Sequence, residues 1–182
     1  MFFDREEEGL MNRKIIFITG GARSGKSSFA LRDASLIRGG KAFIATAEPT
    51  DDEMHQRIER HKKDRGDGWD TYEEPLKIAS AIKEIEERYS VIVIDCLTLW
   101  LANLMSSSAA VSEEIDFFIE VLRSAGRTYR MYIVSNEVGM GIVPENEMAR
   151  RFRDIAGMLN QKVASVADEV YMTVAGLPVR IK

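Results

Sequence analysis

Ile15-Ile16-Phe17-Ile18-Thr19 runs straight into Gly20-Gly21-Ala22-Arg23-Ser24-Gly25-Lys26-Ser27, and this junction constrains the fold more than any other stretch of the chain. A β-branched apolar run of this kind reads as a strand buried on both faces. The segment that follows fills every fixed position of the phosphate-binding pattern G-x-x-x-x-G-K-[ST] with Gly20, Gly25, Lys26 and Ser27. The chemistry dictates these residue types. Glycines let successive backbone N–H groups converge on a β-phosphate, the Lys26 ammonium reaches the β- and γ-oxygens, and the Ser27 hydroxyl ligates Mg²⁺. Ser27 to Ile37 then reads as a helix whose N-terminal dipole faces the phosphates. Strand, complete loop and helix together predict a nucleoside triphosphate site, which a bare Gly-Lys-Ser would not.

The rest of the chain repeats the same rhythm. Strand-like runs recur at Ala42 to Thr46, Val91 to Asp95, Met131 to Ser135 and Glu169 to Val174. Helical segments are predicted between them over 27–38, 51–64, 75–88, 97–105, 112–125 and 145–165, with Ser112 and Pro144-Glu145 as legible helix starts. Alternation of this kind predicts βαβ units, and so an α/β protein of the P-loop NTPase type: a mostly parallel sheet flanked by helices. Gly176-Leu177-Pro178 separates Val170 to Val174 from Val179-Arg180-Ile181, which predicts a C-terminal antiparallel hairpin with its proline on an edge strand. No linker, repeat or low-complexity tract occurs, so residues 15–182 read as one domain. Residues 1–14 read as an N-terminal extension and the start of the first strand, with Met11 a candidate start.

Composition excludes several function classes. A chain of 182 residues with 45% apolar and 30% charged residues is globular, neither disordered nor fibrous. A net charge of −4 gives no general electrostatic reason to bind nucleic acid. The longest apolar tract, Val91 to Met105, is broken by Asp95, Thr98 and Asn103 and falls short of the roughly 18 to 20 residues that span a bilayer. The acidic opening residues are unlike a secretion signal. A single cysteine, Cys96, forms no internal disulfide and fits a reducing cytoplasm, where it reads as a small core residue.

Val91-Ile92-Val93-Ile94-Asp95 places a carboxylate at the C-terminal end of a buried strand, where open α/β sheets bind ligands. Asp95 is expected to hold Mg²⁺ beside Ser27; the competing reading is a cap for the helix at Leu97. The switch-GTPase sequence marks are missing. Ala45-Thr46-Ala47 closes the second strand at the same edge, and Ser135-Asn136-Glu137-Val138-Gly139-Met140-Gly141 closes the fourth. Each reads either as ligand contact or as a simple strand end.

Asp51 to Arg65 crowds acids into its first turn and bases into its last, as a stable helix prefers. Met54, Ile58, His61 and Arg65 share one face, and His55, Glu59 and Lys62 share the solvated one. Neutral imidazole is a nucleophile near pH 7, and Arg57 and Arg65 would steady a phosphate beside His61; the bland alternative is a histidine on a basic helix. Leu97, Trp100, Leu101 and Leu104 form an apolar stripe read as core or subunit contact. Arg150-Arg151-Phe152-Arg153 reads as a solvated basic turn or a phosphate clamp.

Taken together, Thr19 to Ser27, Ala45-Thr46-Ala47, Asp51-Asp52-Glu53-Met54 through Arg57-Ile58 to His61, Trp69-x-Thr71-x-Glu73-x-Pro75, Asp95-Cys96-Leu97-Thr98 and the Ser135 to Gln161 region resemble the bifunctional adenosylcobinamide kinase / adenosylcobinamide-phosphate guanylyltransferase family of cobalamin biosynthesis. The resemblance implies two reactions: phosphorylation of adenosylcobinamide by GTP or ATP, then transfer of GMP from GTP through a GMP-histidine. It implies that Gly20, Gly21, Ala22, Arg23, Ser24, Gly25, Lys26, Ser27, Ala45, Thr46, Ala47, His61, Lys62, Lys63, Asp64, Glu73 and Asp95 line the nucleotide site. Lys26 and His61 would be catalytic, with Mg²⁺ at Ser27 and Asp95. It also implies a small corrinoid substrate, no nucleic-acid partner and a trimeric assembly. In that family two adjacent histidines occupy the helix; this chain has Arg60 at the first and His61 at the second. Either His61 takes the nucleophile's role or GMP transfer is impaired. A nucleoside or nucleotide kinase without a covalent intermediate, its phosphates clamped by Arg150, Arg151 and Arg153, is the competing enzyme. A non-enzymatic nucleotide-binding regulator is the competing non-enzyme.

Overall fold

The structure is a computed structural model, and it describes residues 14–49, 51–124 and 129–182. The expected N-terminal extension and Met11 lie outside the described residues. The apolar runs become β1 (Lys14–Gly20), β2 (Lys41–Ala45), β4 (Val91–Asp95), β5 (Arg130–Val134) and β6 (Glu169–Val174), joined by β3 (Asp70–Glu73) and β7 (Leu177–Arg180). The helices are α1 (Lys26–Ser35), α2 (Asp52–Arg65), α3 (Ile78–Ile85), α4 (Leu97–Ser106), α5 (Val111–Ser124) and α6 (Glu147–Val166). All seven strands form one sheet in the order β3-β2-β4-β5-β1-β6-β7. Every pairing is parallel except β6 with β7, so the predicted architecture and its terminal hairpin both hold. Pro178 pairs opposite Thr173 on β7, the edge strand, where a missing N–H costs the sheet little.

Period-two alternation divides the core into two layers. Ile15, Phe17, Ile44, Ile92, Ile94, Met131 and Ile133 face a cluster with residues of α3, α4, α5 and α6, whereas Ile16, Ile18, Phe43, Val91, Val93, Tyr132 and Val134 face α1. Trp100 is fully buried, donates from Nε1 to the Leu76 carbonyl at 2.8 Å and meets Phe118 edge-on, so the Leu97 to Leu104 stripe is core. Among the described residues, helix α2 contributes none to either cluster.

Three local differences from the sequence reading have physical causes. Strand β3 has no apolar run to announce it: of Asp70-Thr71-Tyr72-Glu73 only Tyr72 is half-buried, because β3 is the edge strand beside β2 and is held by backbone pairing. Helix α3 is shorter than 75–88, since the Glu74 carboxylate accepts from the N–H groups of Leu76 and Lys77 and forms a turn ahead of Ile78. At α6 the cap is Asn146, whose side chain accepts from Ala149 N at 3.0 Å, two residues beyond Pro144.

Candidate active site

The parallel register brings the proposed site residues to one edge. Ala45 pairs with Glu73 on one side and Asp95 on the other, so three strands end level. Asp95 in turn lies opposite Val134, and Val134 opposite Ile18, two residues before Gly20. With strands about 4.8 Å apart, the carboxylates of Glu73 and Asp95 stand on the same edge as the glycine-rich loop.

Backbone conformation explains why the loop needs its glycines. Gly20 has φ +150°, and a Cβ there would lie 2.5 Å from the Thr173 carbonyl oxygen. Gly25 has φ +96° and caps α1, with Gly176 Cα 3.1 Å from where its Cβ would stand. By contrast, a Cβ on Gly21 meets nothing within 4 Å. Gly21, Ala22 and Arg23 are exposed, Ser27 is half-buried on the first turn of α1, and Lys26 is buried. The Lys26 ammonium arches over the loop, donating to the carbonyls of Gly20 at 2.9 Å and Gly21 at 2.7 Å.

The support for this loop was not legible in the sequence. Ser24 Oγ and Thr173 Oγ1 lie 2.7 Å apart in a buried hydrogen bond, and Gly176 N donates to the Ser24 carbonyl at 2.9 Å. The β6–β7 hairpin therefore braces the loop from about 150 residues away in sequence. A hairpin was readable there; its contact with the loop had no local signal.

At the end of β4 the helix cap is Cys96, with no side-chain cap bond, so the capping alternative for Asp95 is not what the structure contains. Asp95 is half-buried. Thr46 is fully buried, and its hydroxyl both donates to the Cys96 carbonyl and accepts from Cys96 N, each at 2.8 Å. Asn103 Nδ2 donates to the Thr46 carbonyl at 2.8 Å and the Pro75 carbonyl at 3.1 Å. Thr46 thus fixes the turn that presents Asp95. Burial pushes the Cys96 thiol's pKa up, with the Asp95 charge adding to it, so Cys96 is a neutral core residue.

Helix α2 starts where Asp51 accepts from Met54 N at 2.7 Å. Its last turn is tied to the sheet edge. The Arg65 guanidinium sits 3.9 Å from the Phe43 ring centroid and donates to Thr71 Oγ1 at 3.3 Å. Burial lowers its pKa, while the charges of Asp95 and Glu73 oppose that shift, placing Arg65 in the field of both site carboxylates. Lys62, read as solvated, is half-buried instead and bridges to Glu73 at 2.7 Å and Glu59 at 3.5 Å. The Glu73 hydrogen bond raises its pKa most. His55, Arg60 and Lys63 are exposed. His61 and Asp64 belong to α2 by backbone; their side chains, with that of Arg57, lie outside the described residues.

The edge therefore presents a phosphate-type loop, a carboxylate at each of two strand ends, and a basic helix end beside them. It can bind phosphates through backbone N–H groups and Lys26, and it offers hard oxygen donors at Ser27 and Asp95. Among the described residues no cluster of three or more His, Cys, Asp or Glu could hold a metal by itself, and no helix is long and apolar enough to cross a membrane.

Among solved structures, the fold is similar to the RadB recombinase, with TM-score 0.53 and 14% identity over 90% of this chain and 76% of that one. It is also similar to a prototypical ATPase of the type III secretion system of pathogenic bacteria, with TM-score 0.55 and 11% identity over 94% and 57% of the two chains. At such identities the likeness concerns the fold alone. Sequence comparison is more specific. The chain is 41% identical to the bifunctional adenosylcobalamin biosynthesis protein CobP of Pseudomonas aeruginosa over 91% of its length and 95% of the relative's. It is 40% identical to CobU of Salmonella typhimurium and 37% identical to CobU of Escherichia coli, each over 92% of this chain and 99% of the relative. Residues 16–181, from the first strand to the last, match the family model described as cobinamide kinase / cobinamide phosphate guanyltransferase, and to that family this chain belongs.

Proposed function

We propose that this chain phosphorylates adenosylcobinamide and then converts the phosphate to adenosylcobinamide-GDP, with both reactions run at the β-strand edge described above. The observation that carries the reading is the Gly20 to Ser27 loop with Lys26 folded over it, on the same edge as Asp95. In the first reaction the substrate hydroxyl oxygen attacks the γ-phosphorus of GTP or ATP, and the nucleoside diphosphate leaves. In the second, an imidazole nitrogen of His61 attacks the α-phosphorus of GTP and pyrophosphate leaves; the corrinoid phosphate oxygen then attacks that phosphorus and the imidazole is released.

The loop N–H groups and Lys26 hold the triphosphate and offset charge developing on its oxygens. A hydroxyl at Ser27 and a carboxylate at Asp95 are the hard oxygen donors that Mg²⁺ takes alongside substrate phosphates. When bound, the ion would neutralise phosphate charge. Gly21, Ala22, Arg23 and Ser24 complete the cradle. Ala45, Ala47, Lys62, Lys63, Asp64 and Glu73 form the remaining wall, and Thr46 acts through the turn it fixes. We assign the nucleophile to His61 because Arg60 stays protonated. The acting species is a trimer in the cytoplasm, as family resemblance implies.

Incubation with GTP labelled at the α-phosphate tests this. Acid-labile, alkali-stable label on the protein is expected, and His61→Ala is expected to lose both the label and GMP transfer while keeping kinase turnover. Equal loss of both activities would give His61 a shared binding role instead. Absence of label while corrinoid-GDP forms would remove the histidine intermediate.

A further inference from the structure

Three buried side-chain polar atoms have no hydrogen-bond partner among the described residues: Thr19 Oγ1, Arg153 Nη1 and Asn160 Oδ1. Two of the three share one face of α6. Arg153, Ala156, Asn160 and Val163 follow each other at three- and four-residue spacing, and Ala156 and Val163 are buried in the core cluster. The face that Arg153 and Asn160 occupy thus points inward, although its lower half packs apolar side chains.

Asn160 sits level with the sheet edge, because its Nδ2 donates to the Asn136 carbonyl at 3.2 Å. Asn136 is itself clamped: its N–H and its Nδ2 each donate to Thr98 Oγ1 at 2.9 Å. The next residue, Glu137, donates its N–H to the Gly20 carbonyl at 2.9 Å. One residue therefore separates this cluster from the phosphate loop. Arg153 lies seven residues nearer the α6 N-terminus, about 10 Å further along the axis, beyond the strand ends. Arg150 and Arg151, which the sequence grouped with it, are exposed.

A guanidinium nitrogen buried without a partner is costly, and an oxyanion is what relieves it. Arg153 forms no ion pair among the described residues. The nucleotide phosphates, on the reading above, lie against the loop and the α1 N-terminus, on one face of the sheet. Helix α6 packs on the other face. In the step that makes the corrinoid product the leaving group is the His61 imidazole on α2, whose last turn stacks on Phe43 on the α1 face of the sheet, so in-line attack brings the acceptor from the other side, where α6 lies.

We propose that Arg153 and Asn160 form the acceptor subsite of the GMP-transfer reaction: Arg153 binds the phosphate monoester of the incoming corrinoid, and Asn160 Oδ1, about two turns along α6, accepts from an N–H or O–H of the same substrate. This rests on the functional reading above. The alternative source of the same anion is a phosphate of the nucleotide, and the test separates the two.

Steady-state GMP transfer is measured with GTP and cobinamide phosphate, each varied in turn, and the kinase step is measured separately with cobinamide. Arg153→Gln is expected to raise KM for cobinamide phosphate about 10- to 100-fold, the loss expected for one charge-assisted hydrogen bond. That rise should exceed any change in KM for GTP or in the kinase step at least tenfold. Arg153→Lys should recover part of it. Asn160→Asp, nearly isosteric, puts a negative charge in the path of the anionic acceptor and should raise the same KM. A KM for cobinamide phosphate within twofold of wild type in well-folded Arg153→Gln overturns the proposal, as does a rise confined to GTP. Wild-type enzyme that makes no product from cobinamide phosphate and GTP removes the functional reading itself, a result distinct from either.

Discussion

Gly20→Ala tests whether the phosphate loop is held in shape by contact with the far end of the chain. A Cβ at residue 20 would stand 2.5 Å from the Thr173 carbonyl oxygen, 2.7 Å from Thr173 Oγ1 and 2.8 Å from Ser24 Oγ. The two hydroxyls can rotate only by giving up the bond between them, and the carbonyl belongs to a strand paired with β1. The φ of +150° is also one that an L side chain rarely adopts. Backbone strain of about 1–3 kcal/mol and overpacking of about 1–3 kcal/mol set a floor near 2 kcal/mol. For a chain of this size that lowers Tm by at least about 4–8 °C. Gly21→Ala is the control, since nothing lies within 4 Å of its Cβ, and it should shift Tm by under about 2 °C. Thermal unfolding of both variants, with and without GTP, provides the measurement. Should Gly20→Ala unfold within 2 °C of Gly21→Ala and keep the same stabilisation by GTP, the bracing argument is wrong.

Thr46→Val is nearly isosteric but leaves the buried Cys96 N–H and carbonyl without the hydroxyl that both use. A loss of about 2–3 kcal/mol in urea unfolding is expected, with Thr46→Ser restoring more than half; equal stability of Val and Ser variants would refute the assignment. Tyr132 is fully buried and donates to Asp33 Oδ2 at 2.7 Å; burial first, then that bond, raise its pKa. The folded state thus keeps the phenol proton after the unfolded chain loses it near pH 10, so this stabilisation is complete below that pH and is lost as pH rises through the folded pKa. Urea midpoints at pH 8, 10 and 11 should fall less steeply in Tyr132→Phe than in wild type, and parallel slopes would contradict the reading.

The sheet class and the phosphate loop are readable from the chain alone. Both are written in local pattern: β-branched runs such as Ile15 to Thr19 and Val91 to Asp95 are long enough to announce buried parallel strands, and Gly20, Gly25, Lys26 and Ser27 are fixed in type by backbone geometry and phosphate charge. It also named Asp95 and Glu73 as site candidates without showing that they flank the same residue. That comes from the fold, through the parallel register that sets Ala45 between them. The same holds for Thr173 and Gly176 bracing the loop, for Arg65 stacking on Phe43 within the field of both carboxylates, and for the enclosed Nη1 of half-buried Arg153 while Arg150 and Arg151 face solvent. The reason is common to all of these. Sequence pattern reports which face of an element is apolar, whereas a polar side chain's role depends on what the fold brings opposite it from distant positions. Strand β3 is the same lesson in reverse: at a sheet edge, pairing with β2 supplies what its own residues do not.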